Sequence, residues 1–318
     1  MLFLILRRLA YAAPIALGVS IVCFSLVYLA PGDPLQTVLP ADATAEVIEL
    51  IKHEYGFDKP IPVQYGIWLW HVLQGDFGVS IGSRRPVIVD VMGSLRNTLI
   101  LTSFAVPIAF IVGYTLGAIA GCFPGRWIDR VVTGVAVMGV SVPNYWLGIV
   151  MVIAFAVELS WLPATGMGPR GSDVFSVFNL DDLRYMVMPV FTLSMVPVGI
   201  IARSTRAAVA EIRGLDFVIT LRAKGLSEAA IIRHVLKNSL PQVLAVMGLQ
   251  FGYLMGGSIL IETVFTWPGS GFLLAKAIIT RDIPVLQGAI LLLSMVFVAT
   301  NLVVDLLQSA IDPRIRRA

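Results

Sequence analysis

The sequence predicts an all-α polytopic membrane protein with six transmembrane helices, and three observations carry that expectation. Of its 318 residues, 57% are hydrophobic and 14% charged, with a mean hydropathy of +0.86, whereas soluble domains carry roughly 25% charge. Six uncharged runs reach 18 residues or more, and a helix needs about 20 to cross a hydrocarbon core of roughly 30 Å. Lysine and arginine crowd into alternate segments between those runs, as membrane orientation requires. Soluble and disordered classes are thereby excluded. With 23 basic and 20 acidic residues and no polybasic block, the net charge of +3 gives nucleic acid no groove to follow. Cys23 and Cys122 lie inside apolar runs and read as packed thiols, with no CxxC pair.

The first span is Leu9 to Leu29. Arg7 and Arg8 precede it as they would a signal peptide, but 21 uncharged residues exceed an h-region, and Leu29-Ala30-Pro31 lacks an A-x-A site. Residues 30–97 form the extracytoplasmic loop. Within it Thr44 to Tyr55 puts Val47, Ile48 and Ile51 on one helical face, and Gln64 to Leu73 carries Trp68 and Trp70. Both are expected as short helices at the outer membrane surface, where Trp collects. The second span, 98–123, has Gly113, Gly117 and Gly121 at four-residue spacing, and the fifth, 238–261, has Gly248, Gly252 and Gly256. Such rows let helix backbones approach closely in lipid. The third and fourth spans are 131–157 and 185–202, and the sixth is 283–304. Between the last two, Thr263 to Arg281 is apolar but holds Pro268, Gly269 and Gly271, so an irregular loop packed on protein is expected. Placing both termini in the cytoplasm puts fourteen basic residues inside, against four in the short outer loops. The outer segment 30–97 adds five more, yet segments above ~60 residues translocate largely regardless of charge.

Much chemistry is missing. No acid, base or histidine occupies the middle of a span, where proton-coupled carriers need an ionisable relay; Glu158, Glu262 and Asp305 sit at span ends as expected interfacial anchors. His53, His71 and His234 lack HExxH spacing, so no metal site is expected. Gly269-Ser270-Gly271 offers a serine without a downstream histidine to act as its base. No Gly-Lys dipeptide exists, hence no P-loop, and a pump would need its energy from another subunit. These absences disfavour a secondary carrier and a membrane-embedded hydrolase. Four polar residues, Ser141, Asn144, Gln250 and Ser258, interrupt apolar spans, either facing a water-filled translocation path or bonding between helices.

The informative segment is the cytoplasmic loop 203–237. Gly214 interrupts the helix leaving span four, Asp216 is a candidate N-cap, and Phe217 to Lys224 forms two turns ending in Arg222 and Lys224, which suit the helix dipole. Gly225 fits a left-handed C′ position with Leu226 after it, and Ser227 caps a new helix opening on Glu228. A piece this short is marginal alone, so Phe217, Val218 and Leu221 are expected to seek a partner surface. The residues leave two readings: a helix resting on lipid headgroups through Arg222 and Lys224, or a docking element for another protein.

The string DFVITLRAKGLSE, Asp216 to Glu228, resembles the cytoplasmic loop of ABC-importer permeases in the dipeptide, oligopeptide and nickel family. Asp216, Phe217, Val218, Thr220, Arg222, Ala223, Lys224, Gly225, Leu226 and Ser227 match the pattern, while Ile219 and Leu221 stand where Arg and Ala are usual. Arg7-Arg8-Leu9, Pro31-Gly32-Asp33-Pro34, GFDKPIPVQY (Gly56 to Tyr65), GDFGVS (Gly75 to Ser80), ETVFTWPGSG (Glu262 to Gly271) and DPRIR (Asp312 to Arg316) are similar to further family strings in the same order. The long outer loop and PGDP resemble the first, B-type, permease of the pair.

The resemblance implies a type I ABC-importer permease fold in the bacterial inner membrane and a transport subunit without an ATPase site. It implies four kinds of partner: a C-type permease, two ATP-binding cassette subunits that use ATP and Mg, an extracytoplasmic solute-binding protein, and the lipid bilayer. It also implies that Asp216 to Ser227 couples the ATPases to the spans by alternating access, with Gly225 letting the chain turn sharply. The lack of buried charge suits a neutral or zwitterionic solute such as a peptide.

Overall fold

The computed structural model describes residues 2–29, 39, 43–54, 58–169, 175–176 and 178–311. The expected strings PGDP and DPRIR lie outside the described residues, as does the start of GFDKPIPVQY. Among the described residues eleven α-helices follow in order: α1 (Leu2–Leu29), α2 (Ala45–Glu54), α3 (Ile61–Leu73), α4 (Val87–Cys122), α5 (Trp127–Ser141), α6 (Asn144–Met151), α7 (Leu180–Arg213), α8 (Asp216–Ala223), α9 (Glu228–Val264), α10 (Ser270–Thr280) and α11 (Ile283–Ile311). A π-helical segment, Val152–Glu158, continues α6. Among the described residues, α4, α7 and the α11 portion Ile283–Val304 are each long and apolar enough to cross a membrane, and two bent helix pairs raise the number to five. The 28-residue α1 holds a shorter apolar stretch, Ala13–Leu26, that is not among these five. The chain divides into two compact units, Met1–Thr98 with Pro268–Ala299, and Leu99–Trp267 with Thr300–Ala318.

In the first unit the two short helices expected between the first and second spans form, and α3 lies on α1. Tyr65 shares a 2.7 Å hydrogen bond with Ser20, its ring sits 5.5 Å from Phe24, and the Tyr28 hydroxyl donates to Gln64. The loop leading to α4 is anchored by buried Asp282, which accepts from Ser80 Oγ at 2.6 Å and the Gly82 amide at 3.0 Å. The irregular loop expected over Thr263 to Arg281 is corrected: α10 occupies Ser270–Thr280. Pro268 and Gly269 precede its first turn, where neither breaks the helix, so residues read as breakers act as a helix start. Ser270 exchanges hydrogen bonds with Thr98 through both its hydroxyl and its amide, each 2.8 Å, so its role is structural.

In the second unit α7 is the central post. Asn179 caps it by accepting from the Asp181 amide, and Asp181 and Asp182 fill its first turn. The glycine row of span two packs as expected. A Cβ at Gly117 would lie 2.4 Å from the Ala202 carbonyl oxygen, and one at Gly121 would lie 2.7 Å from Val209 Cβ. On the opposite side a Cβ added at Gly199 of α7 would lie 2.4 Å from the Ala136 carbonyl oxygen of α5. Leu101, Met188, Leu193, Leu254, Ile261, Phe265 and Trp267 pack into one buried cluster. Glu262 is fully buried rather than anchoring an interface; it belongs to the last turns of α9, which the Phe265–Trp267 cluster encloses.

The third span is not one straight helix. Trp127–Ser141 and Asn144–Glu158 are bent by 95°. Pro143 has no amide hydrogen to continue the ladder and drives Val142 into extended backbone with ψ 125°. Hydropathy saw one apolar run because Val142-Pro143 is as uncharged as its neighbours.

Candidate functional site

The loop between α7 and α9 folds into a capped, locally supported helix. α7 stops at Gly214, and α8 runs from Asp216 to Ala223. Its N-cap is Leu215, so Asp216, expected as the cap, stands instead in the first helical turn. There it suits the positive end of the helix dipole without accepting a capping bond. Thr220 donates its hydroxyl to the Asp216 carbonyl at 3.0 Å.

The C-terminal end follows the pattern expected for glycine at C′. Gly225 adopts φ +79°. Its amide donates to the Arg222 carbonyl at 2.9 Å, and the Leu226 amide to the Leu221 carbonyl at 3.2 Å. This paired arrangement is a Schellman motif, and it satisfies carbonyls that the last turn would otherwise leave open. Lys224 occupies the C-cap. Ser227 then caps α9 by accepting from the Ala230 amide at 3.4 Å.

Two faces of α8 differ sharply. Val218 is fully buried in a cluster with Val209, Ile231 and Val235, against which Leu221 and Leu226 also pack. Burying a valine side chain from water is worth roughly 1.5–3 kcal/mol, enough to hold a two-turn helix that is marginal alone. Val218 and Leu221, expected to seek an external partner, are therefore covered by the chain itself. Phe217 and Ile219 remain exposed, at 37% and 60%, and Thr220, Ala223 and Lys224 share the open surface. An outer face of mixed apolar and polar groups is thus presented on a braced support.

Three side-chain contacts that the sequence does not predict brace the helix and its support. Glu228 receives Arg222 at 2.9 Å (Nε) and 3.4 Å (Nη2), tying the end of α8 to the start of α9. In this loop the Arg222 guanidinium holds the Glu228 carboxyl below the usual carboxylate range. Arg213 donates to the Cys122 carbonyl at 2.8 Å, closing an open carbonyl at the end of α4. Further along α7, Arg206 grips Asp129 through two bonds of 3.0 and 2.8 Å, and the Gly125 amide adds a third at 2.9 Å. The six-residue separation of Arg222 and Glu228 across a glycine was a legible signal for the first; the long-range partners left none.

The polar residues of the spans separate. Ser141 and Asn144 flank the Pro143 bend, Ser141 exposed and Asn144 half-buried. Gln250 carries a buried Oε1 that meets no hydrogen-bond donor among the described residues. Ser258 is fully buried and donates to the Met255 carbonyl at 3.3 Å, so it serves its own helix.

Comparison with known proteins places this geometry. The pattern described as "Binding-protein-dependent transport system inner membrane component" matches residues 113–317, and its N-terminal companion matches residues 1–102. The chain is 40% identical over 317 residues to the glutathione transport system permease protein GsiC of Salmonella choleraesuis (strain SC-B67), covering 99% of both. It is 39% identical to GsiC of Escherichia coli (strain K12) over the same share. In fold it is similar to a chain of the MetNI methionine ABC transporter in inward-facing conformations, with a TM-score of 0.53 and 20% identity over 71% of this chain and 96% of that one. The protein therefore belongs to the binding-protein-dependent inner-membrane transport components: it is a permease subunit of an ABC importer with the type I permease fold, lacking an ATPase site of its own and working with a partner permease and ATPase subunits.

Proposed function

We propose that this chain is the first, B-type, permease of an importer for glutathione or similar peptide-like solutes. A related C-type permease would complete the pathway, two ATP-binding cassette subunits would use ATP and Mg, and an extracytoplasmic binding protein would deliver the solute. The curated relatives named for glutathione transport support the substrate class, and the absence of charge from the middle of the spans suits a zwitterionic cargo. Both termini and the loop 203–237 are cytoplasmic in this reading, on the strength of the lysine and arginine distribution. Ser141, Asn144 and Gln250 are the candidate path residues.

The observation that carries the reading is α8: capped at its C-terminus, packed on its inner face by Val218, and open on the face bearing Phe217 and Ile219. ATP-driven closure of the cassettes pushes on that open face, and the Schellman turn at Gly225 passes the displacement into α9 as a rigid-body movement. The test is a single cysteine at Ile219 in the assembled transporter with Cys23 and Cys122 replaced. Cross-linking to an ATPase subunit, strengthened when ATP is bound, together with ATP-dependent uptake of glutathione into proteoliposomes, is the expected result. Labelling of position 219 by lipid-phase reagents with no ATPase cross-link would return α8 to a membrane-surface anchor.

A further inference from the structure

The helices α5 and α7 are in tight contact around Gly199, where an added Cβ would strike the Ala136 carbonyl at 2.4 Å and Val140 Cγ2 at 2.7 Å. Nearer the coupling loop the two helices are tied by Arg206 and Asp129, and between that pair and Gly199 a Cβ added at Gly134 would meet nothing within 4 Å. A cavity of about 700 Å³ opens there between the two helices. Its wall is divided by chemistry: Gly134, Val137 and Ala207 are uncharged, whereas Arg130 and Arg203 line it with guanidinium groups. Arg206 also lines it, but its charge is already engaged by Asp129. Arg130 and Arg203 are both exposed, and among the described residues neither forms an ion pair. Trp127, 72% exposed, opens α5 just before the cavity, and tryptophan at a helix end marks the depth of lipid headgroups.

We propose that this groove seats one anionic phospholipid of the cytoplasmic leaflet, with its phosphodiester between Arg130 and Arg203 and an acyl chain along Gly134 and Val137. Guanidinium groups bind phosphate oxygens through paired N–H donors, and basic pockets between membrane helices suit anionic headgroups. The apolar wall selects a lipid over a soluble anion, because a free phosphate would engage the arginines alone and leave Val137 against water. The inference rests on the reading that the coupling-loop end is cytoplasmic. Labelling a cysteine at Ser227 with an impermeant thiol reagent tests that orientation separately.

The experiment uses the assembled transporter, titrated with phosphatidylglycerol or phosphatidylcholine and examined by native mass spectrometry. Each basic group near an anionic headgroup is worth about a factor of five in affinity, so Arg130→Gln with Arg203→Gln is expected to weaken phosphatidylglycerol binding about twenty-five-fold. Gly134→Phe, which fills the apolar wall and keeps both charges, is also expected to weaken it, while Arg233→Gln on α9 leaves it unchanged. Equal retention of the two lipids overturns the proposal, as does an unaltered affinity in the double arginine variant. Displacement of the lipid by inorganic phosphate, or a silent Gly134→Phe, would show a bare anion site instead. A cysteine at Gly134 that is inaccessible in the delipidated complex would show that another subunit covers the groove, and would overturn it equally.

Discussion

Two regions of the second unit are built from opposite materials. Where α4 crosses α7, contact is backbone on backbone: Gly113, Gly117 and Gly121 face Val198, Ala202 and Arg206 carbonyls with no room for a methyl group. Where α8 meets α7 and α9, contact is through side chains, with Val218 inserted among Val209, Ile231 and Val235 and an ion pair outside. The seam has one arrangement, because carbonyl oxygens and glycine Cα atoms cannot be repacked. The loop has a firm inner face and an open outer one, joined to α9 through a single left-handed residue. Membrane packing supplies stiffness in the first case, and water-driven burial supplies attachment in the second. A lever needs both properties, at different places.

Breaking the seam should give the largest effect. Gly117→Val puts two methyl groups where the first carbon already lies 2.4 Å from backbone oxygen, and overpacking that cannot relax through a rotamer costs about 3 kcal/mol or more. The expected outcome is loss of the assembled transporter in detergent, read by size-exclusion chromatography. Normal assembly would mean that α4 and α7 have room to separate. Next in size is Arg206→Met, which leaves the buried Asp129 carboxylate without its guanidinium. Removing one partner of a fully buried pair costs 3–5 kcal/mol, and because the Arg206 side chain is 40% exposed the expected loss is about 2 kcal/mol. Thermal unfolding of the purified complex measures it, and the double variant Asp129→Asn with Arg206→Met should recover part of the loss.

The difference between the regions also explains what the sequence disclosed. The glycine row of span two at four-residue spacing and the Gly225-Leu226-Ser227 turn were legible because each is a local rule: small residues on one helical face, glycine at C′, serine at an N-cap. The inward direction of Val218 was not, since it depends on where α9 returns, and no spacing within α8 encodes that. Span three is continuous by hydropathy because hydropathy ignores backbone donors, although Val142-Pro143 holds the signal for the bend. Before α10 the same residue types, proline and glycine, carry the local signature of breakers, yet they mark a helix start. The Asp129–Arg206 pair joins residues on two helices, and a single sequence carries no trace of such pairing.

At the loop, Gly225→Val separates stiffness from stability. Nothing lies within 4 Å of an added Cβ there, so the cost comes from φ +79° alone, about 1–2 kcal/mol for a residue with a Cβ. The spans and seam are untouched, and the complex should assemble and unfold near its normal temperature. Transport per ATP hydrolysed is expected to fall, whereas Ala229→Val, at the second residue of α9 and exposed, should leave it unchanged. Full coupling in a well-expressed Gly225→Val protein would remove the rigid turn from the mechanism.

The smallest effect is expected from the Arg222–Glu228 pair, which sharpens the comparison because it is the one brace of α8 that stands in water. Both side chains are about half exposed, at 46% and 60%, and exposed pairs add little to stability. Glu228→Gln removes the charge but keeps a side-chain oxygen for Arg222 and a polar first turn for α9, so assembly and melting temperature should not move measurably. The pH dependence has a fixed sign. Arg222 holds the Glu228 carboxyl below its ordinary value, so whatever the pair contributes is present above the unfolded-state pKa and is lost only as pH falls through the lower folded-state value. Between about pH 6 and 8 the wild-type protein and Glu228→Gln should therefore keep a constant difference in transport per ATP. A difference that opens or closes in that window would assign the titration to another group. A fall in coupling as large as that of Gly225→Val would instead show that the ion pair, rather than the glycine turn, carries the displacement from α8 into α9.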